Sequence, residues 1–241
     1  MSLATLVLAS GPADEFGGGP WPRNLYEIDG APLIEHVLGG QGVLGNEDSV
    51  VLLRRSEQAR WRTGDVVGLL SPESAVCLVP DGCQGAAGSA LWAKGLFDAD
   101  APLMVANGDI IIDANIAEIV QDGLLGADGV VVCFDSVHPR WSYVSVDEEG
   151  YVNRAKEKQP ISRNATVGVY GFLRAGDFFD SIESMIKKDD RVNGIFYVCP
   201  SLNQMVLAGK RIKVVTVERE KYHSLASVAG VEDFVRGRES S

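Results

Sequence analysis

The chain has 241 residues, of which 46% are hydrophobic and 23% charged, with a formal net charge of −11. That balance is ordinary for a globular protein and excludes a disordered or fibrous chain. So acidic a surface repels nucleic-acid backbones, which argues against a polynucleotide partner but not against a single nucleotide held in a local basic pocket.

Leu3 to Ala9 is a continuous apolar run, which predicts a strand buried on both faces of a parallel sheet. It has no positively charged flank and reads as a strand rather than a secretory signal, so a reducing cytoplasm is the expected compartment. A Gly- and Pro-rich loop follows, Ser10 to Ala31. PLIEHVLGG predicts a helix with Pro32 in its first turn and glycines at its end. Ser49–Arg54 and Ala75–Val79 read as a second and a third strand. DGCQGAAGSALWAKGLF is a Gly-rich turn running into a helix. Pro102–Ala106 and Gly129–Phe134 are further strands, the first ending at NGD. This alternation implies a Rossmann-like α/β fold: a mostly parallel, mixed sheet flanked by helices.

The pattern changes near Ser142. YVSVDEEGYVNRAKEK predicts a hairpin around DEEG, and GVYGFL another strand. DFFDSIESMIKK is an amphipathic helix with Phe178, Phe179, Ile182, Met185 and Ile186 on one face. RIKVVTVE is a late strand. With no linker or internal repeat, residues 1–241 read as one domain whose second half carries a small antiparallel addition. The four cysteines (Cys77, Cys83, Cys133, Cys199) form no C-x-x-C, and His36, His138 and His223 are scattered, so a zinc site is not expected. His36 reads as structural. Trp61, Trp92 and Trp141 read as packing residues, with Trp21 left open.

Ligands in open α/β sheets bind at the carboxyl ends of the strands, where four segments fall. In SGPADEFGGGPWPRN, glycine lets backbone N–H groups approach a phosphate, and Arg23 can pair with its oxygens. A surface loop has the same composition. There is no P-loop motif and no G-x-G-x-x-G opening a helix. In QGAAGSAL, the Gln84 amide suits a nucleobase edge and Gly85 and Gly88 leave room for a ring; a tightly packed helix start reads the same way. In NGD, Asp109 is a natural magnesium ligand when phosphate completes the shell, or else a capping residue. In EK, Glu157 can accept from a sugar hydroxyl and Lys158 can neutralise a phosphate, or the two form a solvated pair.

In this order the segments resemble the sugar-phosphate nucleotidyltransferases, whose fold is GT-A-like. The likeness runs through VLASG, PRNLYEIDGAPLIEHVL, QGAAGSAL, NGDIII, EKQPI, GVYGF and VEDF. RWSYVSVDEEG, EKQPISRNATVGVYGF and RVNGIFYVCPSLNQ resemble a branch that makes precursors for capsular and other surface polysaccharides. The resemblance implies transfer of an NMP from an NTP to a sugar phosphate or similar small phosphorylated acceptor, with Mg2+ as cofactor. It implies that Ala9, Ser10 and Gly11 hold the triphosphate and that Arg23 stands at the family's phosphate-contacting lysine. Gln84 and Gly88 would face the base, Asp109 would bind Mg2+, and Asn107, Glu157, Lys158 and Gly168 would line the acceptor pocket. The fold often forms homodimers. The chain departs from the family's G-x-G-[ST]-R, with Ala13 at the second glycine and Glu15 at the arginine. Ser224 and Leu225 stand near the family's second metal-binding Asp, while Glu232 and Asp233 of G-T-P-E-D remain. Two other readings are a catalytically silent relative that binds a nucleotide or nucleotide sugar, and a GT-A glycosyltransferase, for which DIIID is a poor D-x-D motif.

Overall fold

The computed structural model describes residues 3–12 and 14–239. The first half contains β1 (Ala4–Leu8), β2 (Glu27–Ile28), β3 (Ala31–Pro32), α1 (Leu33–Gly40), β4 (Ser49–Arg54), α2 (Arg55–Trp61), α3 (Thr63–Leu70), β5 (Ala75–Val79) and α4 (Gly85–Ala90). The chain continues through β6 (Leu103–Asn107), β7 (Ile110–Ile112), α5 (Ile116–Leu124), β8 (Gly129–Asp135), β9 (Ser142–Val146), β10 (Val152–Glu157) and β11 (Asn164–Phe172). It ends with α6 (Ala175–Lys187), α7 (Val198–Leu207), β12 (Ile212–Thr216), β13 (Tyr222–Ser224) and α8 (Val228–Glu239).

The apolar runs become strands, and those of β1, β4 and β6 are covered on both faces, while β5 at the end of the strand order is half-exposed. Every residue of β1 is buried, as are Ser49–Leu53 of β4 and Leu103–Ala106 of β6. β1 pairs in parallel with β4 on one side and β6 on the other, and β4 pairs in parallel with β5. The sheet order runs β10-β9-β11-β6-β1-β4-β5, with β8 joined to β11 and β12 to β8. The chain steps outward from β1 to β4 to β5, then returns to lay β6 on the far side of β1. The strand order therefore reverses between β1 and β6, and the crevice outside their carboxyl ends is where such sheets bind ligands.

The second half supplies the antiparallel part: β9 and β10 form the hairpin expected from DEEG, and β11 runs antiparallel to β6, β8 and β9. On one face, Phe178, Phe179, Ile182 and Met185 of α6 pack with Leu6, Leu52 and Val105; Ile186 joins them half-buried. On the other, α1 buries Leu33, Ile34, Val37 and Leu38 against Val7 and Val51.

Some local expectations change. Pro32 sits just before α1 rather than in its first turn. The loop Ser10–Ala31 holds a 3-10 turn at Arg23–Leu25 and the β2–β3 ladder. The helix after QGAAGSA tightens into a 3-10 stretch over Leu91–Leu96, which leaves Trp92 exposed beneath Arg55 rather than packed in the core. His36 is structural: its Nε2 lies 2.9 Å from the Ile28 carbonyl. Among the described residues no helix is long and apolar enough to cross a membrane.

Candidate active site

Where the strand order reverses, two backbones touch. A Cβ on Gly108 would lie 2.5 Å from Ala9 Cα and 2.8 Å from Ala9 N, so only glycine permits this approach. Gly108 N–H donates to the Leu8 carbonyl at 3.0 Å. The contact brings Asp109 to the first loop. Ala9 and Ser10 are buried, and Gly11 lies under the Arg23 guanidinium: a Cβ there would fall 2.5 Å from Arg23 Nη2. Arg23 Nη1 sits 3.1 Å from Asp109 Oδ2, with the two side chains 16% and 22% exposed. Arg23 Nε is buried and has no partner among the described residues.

The backing of this loop was not evident from sequence. Asn24 Nδ2 donates to the Ala9 carbonyl at 2.9 Å and to Glu57 Oε1 at 3.0 Å. Glu57, from α2, is 1% exposed, and burial pushes its carboxyl above the ordinary glutamate value. A polar helix gives no periodic signal, so nothing in RSEQARW marks Glu57 as the inward residue.

Ala13 lies outside the described residues. Glu15 forms a bridge with Pro22, and its carboxylate takes a 2.7 Å ion pair from Arg60 Nη2 on α2. Trp61 Nε1 donates to the Pro20 carbonyl at 2.9 Å, so α2 holds the loop at two points. Trp21 is 54% exposed. Neither Glu15 nor Trp21 forms a hydrogen bond or ion pair with Arg23 or Asp109 among the described residues.

On the β5 side, Gln84 precedes α4. Its carbonyl accepts from Phe196 N–H at 3.2 Å and its Oε1 from Arg191 Nη1 at 3.2 Å. Gly85 has φ +87°, and a Cβ there would meet the Phe196 carbonyl at 2.5 Å, so glycine is fixed at this turn and its open side is filled by Phe196 rather than left for a ring. The Cβ position of Gly88 is open space.

On the other side, β11 breaks its register with β8 between Thr166 and Tyr170, and Gly168 sits in the break with φ +83°. A Cβ on Gly168 would collide with the Asn107 amide. Glu157 is buried, receives a hydrogen bond from Ser142 Oγ, and has its carboxyl pushed up by burial. Lys158 has φ +54° and is exposed; its Nζ donates to Tyr197 Oη at 3.0 Å, which raises its ammonium above the ordinary lysine value. Ala9, Ser10, Gly11, Arg23, Asn107, Asp109 and Gly168 thus form one contiguous group. Gln84 and Lys158 are linked through neighbouring residues, Phe196 and Tyr197, and Lys158 forms no hydrogen bond with Arg23 and no ion pair with Asp109 among the described residues.

β13 pairs with β7 so that Ser224 lies opposite Ile110, and Leu225 N–H donates to the Asp109 carbonyl at 2.7 Å. The segment near the family's second Asp therefore runs beside Asp109 but brings no carboxylate. Asp113 is drawn to His223 Nε2 at 2.7 Å, and Asp233 pairs with Arg236. Among the described residues no cluster of three His, Cys, Asp or Glu could hold a metal ion. One carboxylate with phosphate oxygens and water is an ordinary set for Mg2+. Asp109 thus fits a Mg2+ that arrives with a triphosphate, not a metal bound by protein alone.

No protein-family model and no curated protein sequence matches the chain. Solved structures do. A nucleoside-diphosphate-sugar pyrophosphorylase from Vibrio cholerae RC9 superposes with TM-score 0.80 at 19% identity, over 96% of this chain and 99% of that one. An inositol-1-phosphate CTP transferase from T. maritima gives 0.77 at 16%, over 99% and 96%. A Bacillus anthracis protein assigned as a glucose-1-phosphate thymidylyltransferase, in complex with a sucrose, gives 0.75 at 15%, over 97% and 94%. The chain has the Rossmann-like fold of these nucleotidyltransferases.

Proposed function

We propose that the protein transfers an NMP from an NTP to a sugar phosphate or similar small phosphorylated acceptor and releases pyrophosphate. The observation that carries this reading is the meeting of Gly11, Arg23 and Asp109 where the strand order reverses between β1 and β6. A glycine backbone, a guanidinium and a carboxylate are what a nucleoside triphosphate with a divalent ion requires.

An oxygen of the acceptor phosphate attacks the α-phosphorus, and a new P–O bond forms as the α–β bridge breaks. Pyrophosphate leaves with the bonding electron pair. The attacking phosphate is already ionised, so no general base is needed, and the rate gain comes from alignment and charge neutralisation. Arg23 exchanges Asp109 for phosphate oxygens, and Lys158 leaves Tyr197 for the acceptor phosphate. Gln84 and Gly88 face the base; Asn107, Glu157 and Gly168 face the acceptor, with Glu157 accepting from a hydroxyl. Mg2+ held by Asp109 would supply Lewis-acid neutralisation of the phosphates. The capsule-like phrases support a place in cytoplasmic synthesis of surface-polysaccharide precursors, and a homodimer is the assembly proposed.

A second reading has its own observation. Glu15 stands at the position of the family's loop arginine, and Ser224 and Leu225 stand near that of its second metal-binding Asp. A silent relative would bind the nucleotide and release nothing. Pyrophosphate release, followed with each NTP over a panel of hexose, heptose and polyol phosphates, separates the two. The expected result is release with one nucleotide, lowered about 100-fold or more in Asp109→Ala. Binding without release from any acceptor would establish the silent reading.

A further inference from the structure

Arg54, the last residue of β4, forms no ion pair among the described residues, although the Ser56 hydroxyl and, less strongly, the Arg54 charge hold the Asp81 carboxyl below the ordinary aspartate value. Its guanidinium instead takes five backbone carbonyls from two loops. Nε faces Ser10 O at 2.9 Å and Gly11 O at 3.4 Å. Nη1 donates to Pro80 O at 3.1 Å and Asp81 O at 2.7 Å, and Nη2 to Cys83 O at 3.4 Å. The first loop follows β1 and the second follows β5, so one side chain from the strand between them joins both.

A trans peptide points its C=O and the next N–H in opposite directions. With the Ser10, Asp81 and Cys83 carbonyls drawn onto Arg54, the N–H groups of Gly11, Gly82 and Gln84 turn away from it. None of the three has an acceptor among the described residues. These amides lie on the two loops assigned above to the triphosphate and to the base. The guanidinium has five N–H donors in a rigid fork, and nearly all are spent on carbonyls, so it has little left for a phosphate.

We infer that Arg54 is a positioning residue for the nucleotide: it locks the Ser10–Gly11 and Pro80–Cys83 loops together with the Gly11, Gly82 and Gln84 N–H groups free for phosphate and base oxygens. It also sets a positive charge behind the first loop of a chain that has Glu15 in place of the loop arginine. The nucleotide part of this inference rests on the reading under Proposed function; the joining of the loops does not. Lysine keeps the charge but gathers its three donors on one atom, so it cannot span two loops.

The test uses Arg54→Lys and Arg54→Gln in the full chain. Amide hydrogen exchange of the unliganded protein should speed up together in residues 9–12 and 80–85 in both variants, with the rest of the sheet unchanged. Titration with the preferred nucleoside triphosphate and Mg2+ should show a Kd raised about tenfold or more in Arg54→Lys, with the acceptor KM within about twofold of wild type. Unchanged exchange in either loop overturns the inference. So does a wild-type Kd in Arg54→Lys, or an equal rise in both substrate constants accompanied by general loss of protection. If the wild type binds no triphosphate, the proposed function fails while the exchange result still decides the joining of the loops.

Discussion

Glu57 is a carboxyl held out of water under the first loop, with Asn24 as its hydrogen-bond donor and Arg23 nearby in charge. Desolvation outweighs these two and the nearby Thr63 hydroxyl together, and raises its pKa from the usual 4.5. The folded state therefore binds this proton more tightly than the unfolded chain. The stabilising contribution is full below pH 4.5 and is lost as pH rises through the raised folded value. Glu57→Gln removes that dependence. Its melting temperature relative to wild type should climb between pH 4 and pH 8, measured by calorimetry. A flat or falling difference would mean that the charged form is well solvated or fully paired. Arg23 and Asp109 could be picked out as candidates because each follows a recognisable phrase, PRN or NGD. Asn24 and Glu57 could not, because their contact exists only once α2 has folded against the loop.

At the scale of elements, the site depends on close approaches between neighbouring backbones. The bulge in β11 at Gly168 presses against Asn107 at the end of β6, at a φ of +83° that L side chains rarely adopt. Gly168→Ala should cost about 1–3 kcal/mol in chemical denaturation. It should also weaken acceptor binding more than nucleotide binding in steady-state kinetics. A variant with wild-type stability would show that the bulge is free to relax. Most of the strands were legible. SVVLLR and AVCLV match β4 and β5 residue for residue: β4 is covered on both faces and needs an unbroken apolar run, whereas β5, at the end of the strand order, has Ala75 exposed and Val76, Cys77 and Leu78 half-buried. The β7–β13 ladder was not: three-residue strands carry no period, and their pairing joins positions more than a hundred residues apart. That ladder runs the Ser224–Leu225 segment beside Asp109, a placement no local pattern reveals. Arg54 was equally hidden, since a basic residue ending an apolar strand reads as a solvated boundary.

The whole molecule is an acidic chain that gathers a few cations, Arg23, Arg54, Lys158 and Arg191, around one end of its central sheet. Net repulsion between an anionic ligand and a surface of charge −11 must be overcome locally, by these groups and by any Mg2+ carried with the phosphates. On the proposed function, this end of the sheet binds a nucleoside triphosphate through Asp109. Thermal denaturation with ATP, GTP, CTP, UTP and dTTP, each with Mg2+, tests it directly when repeated on Asp109→Ala. A ligand at a hundredfold its dissociation constant adds about 2.7 kcal/mol of stability. One nucleotide should raise the wild-type midpoint by several degrees and leave the variant unmoved. No shift with any of the five, or the same shift in both proteins, would contradict the claim.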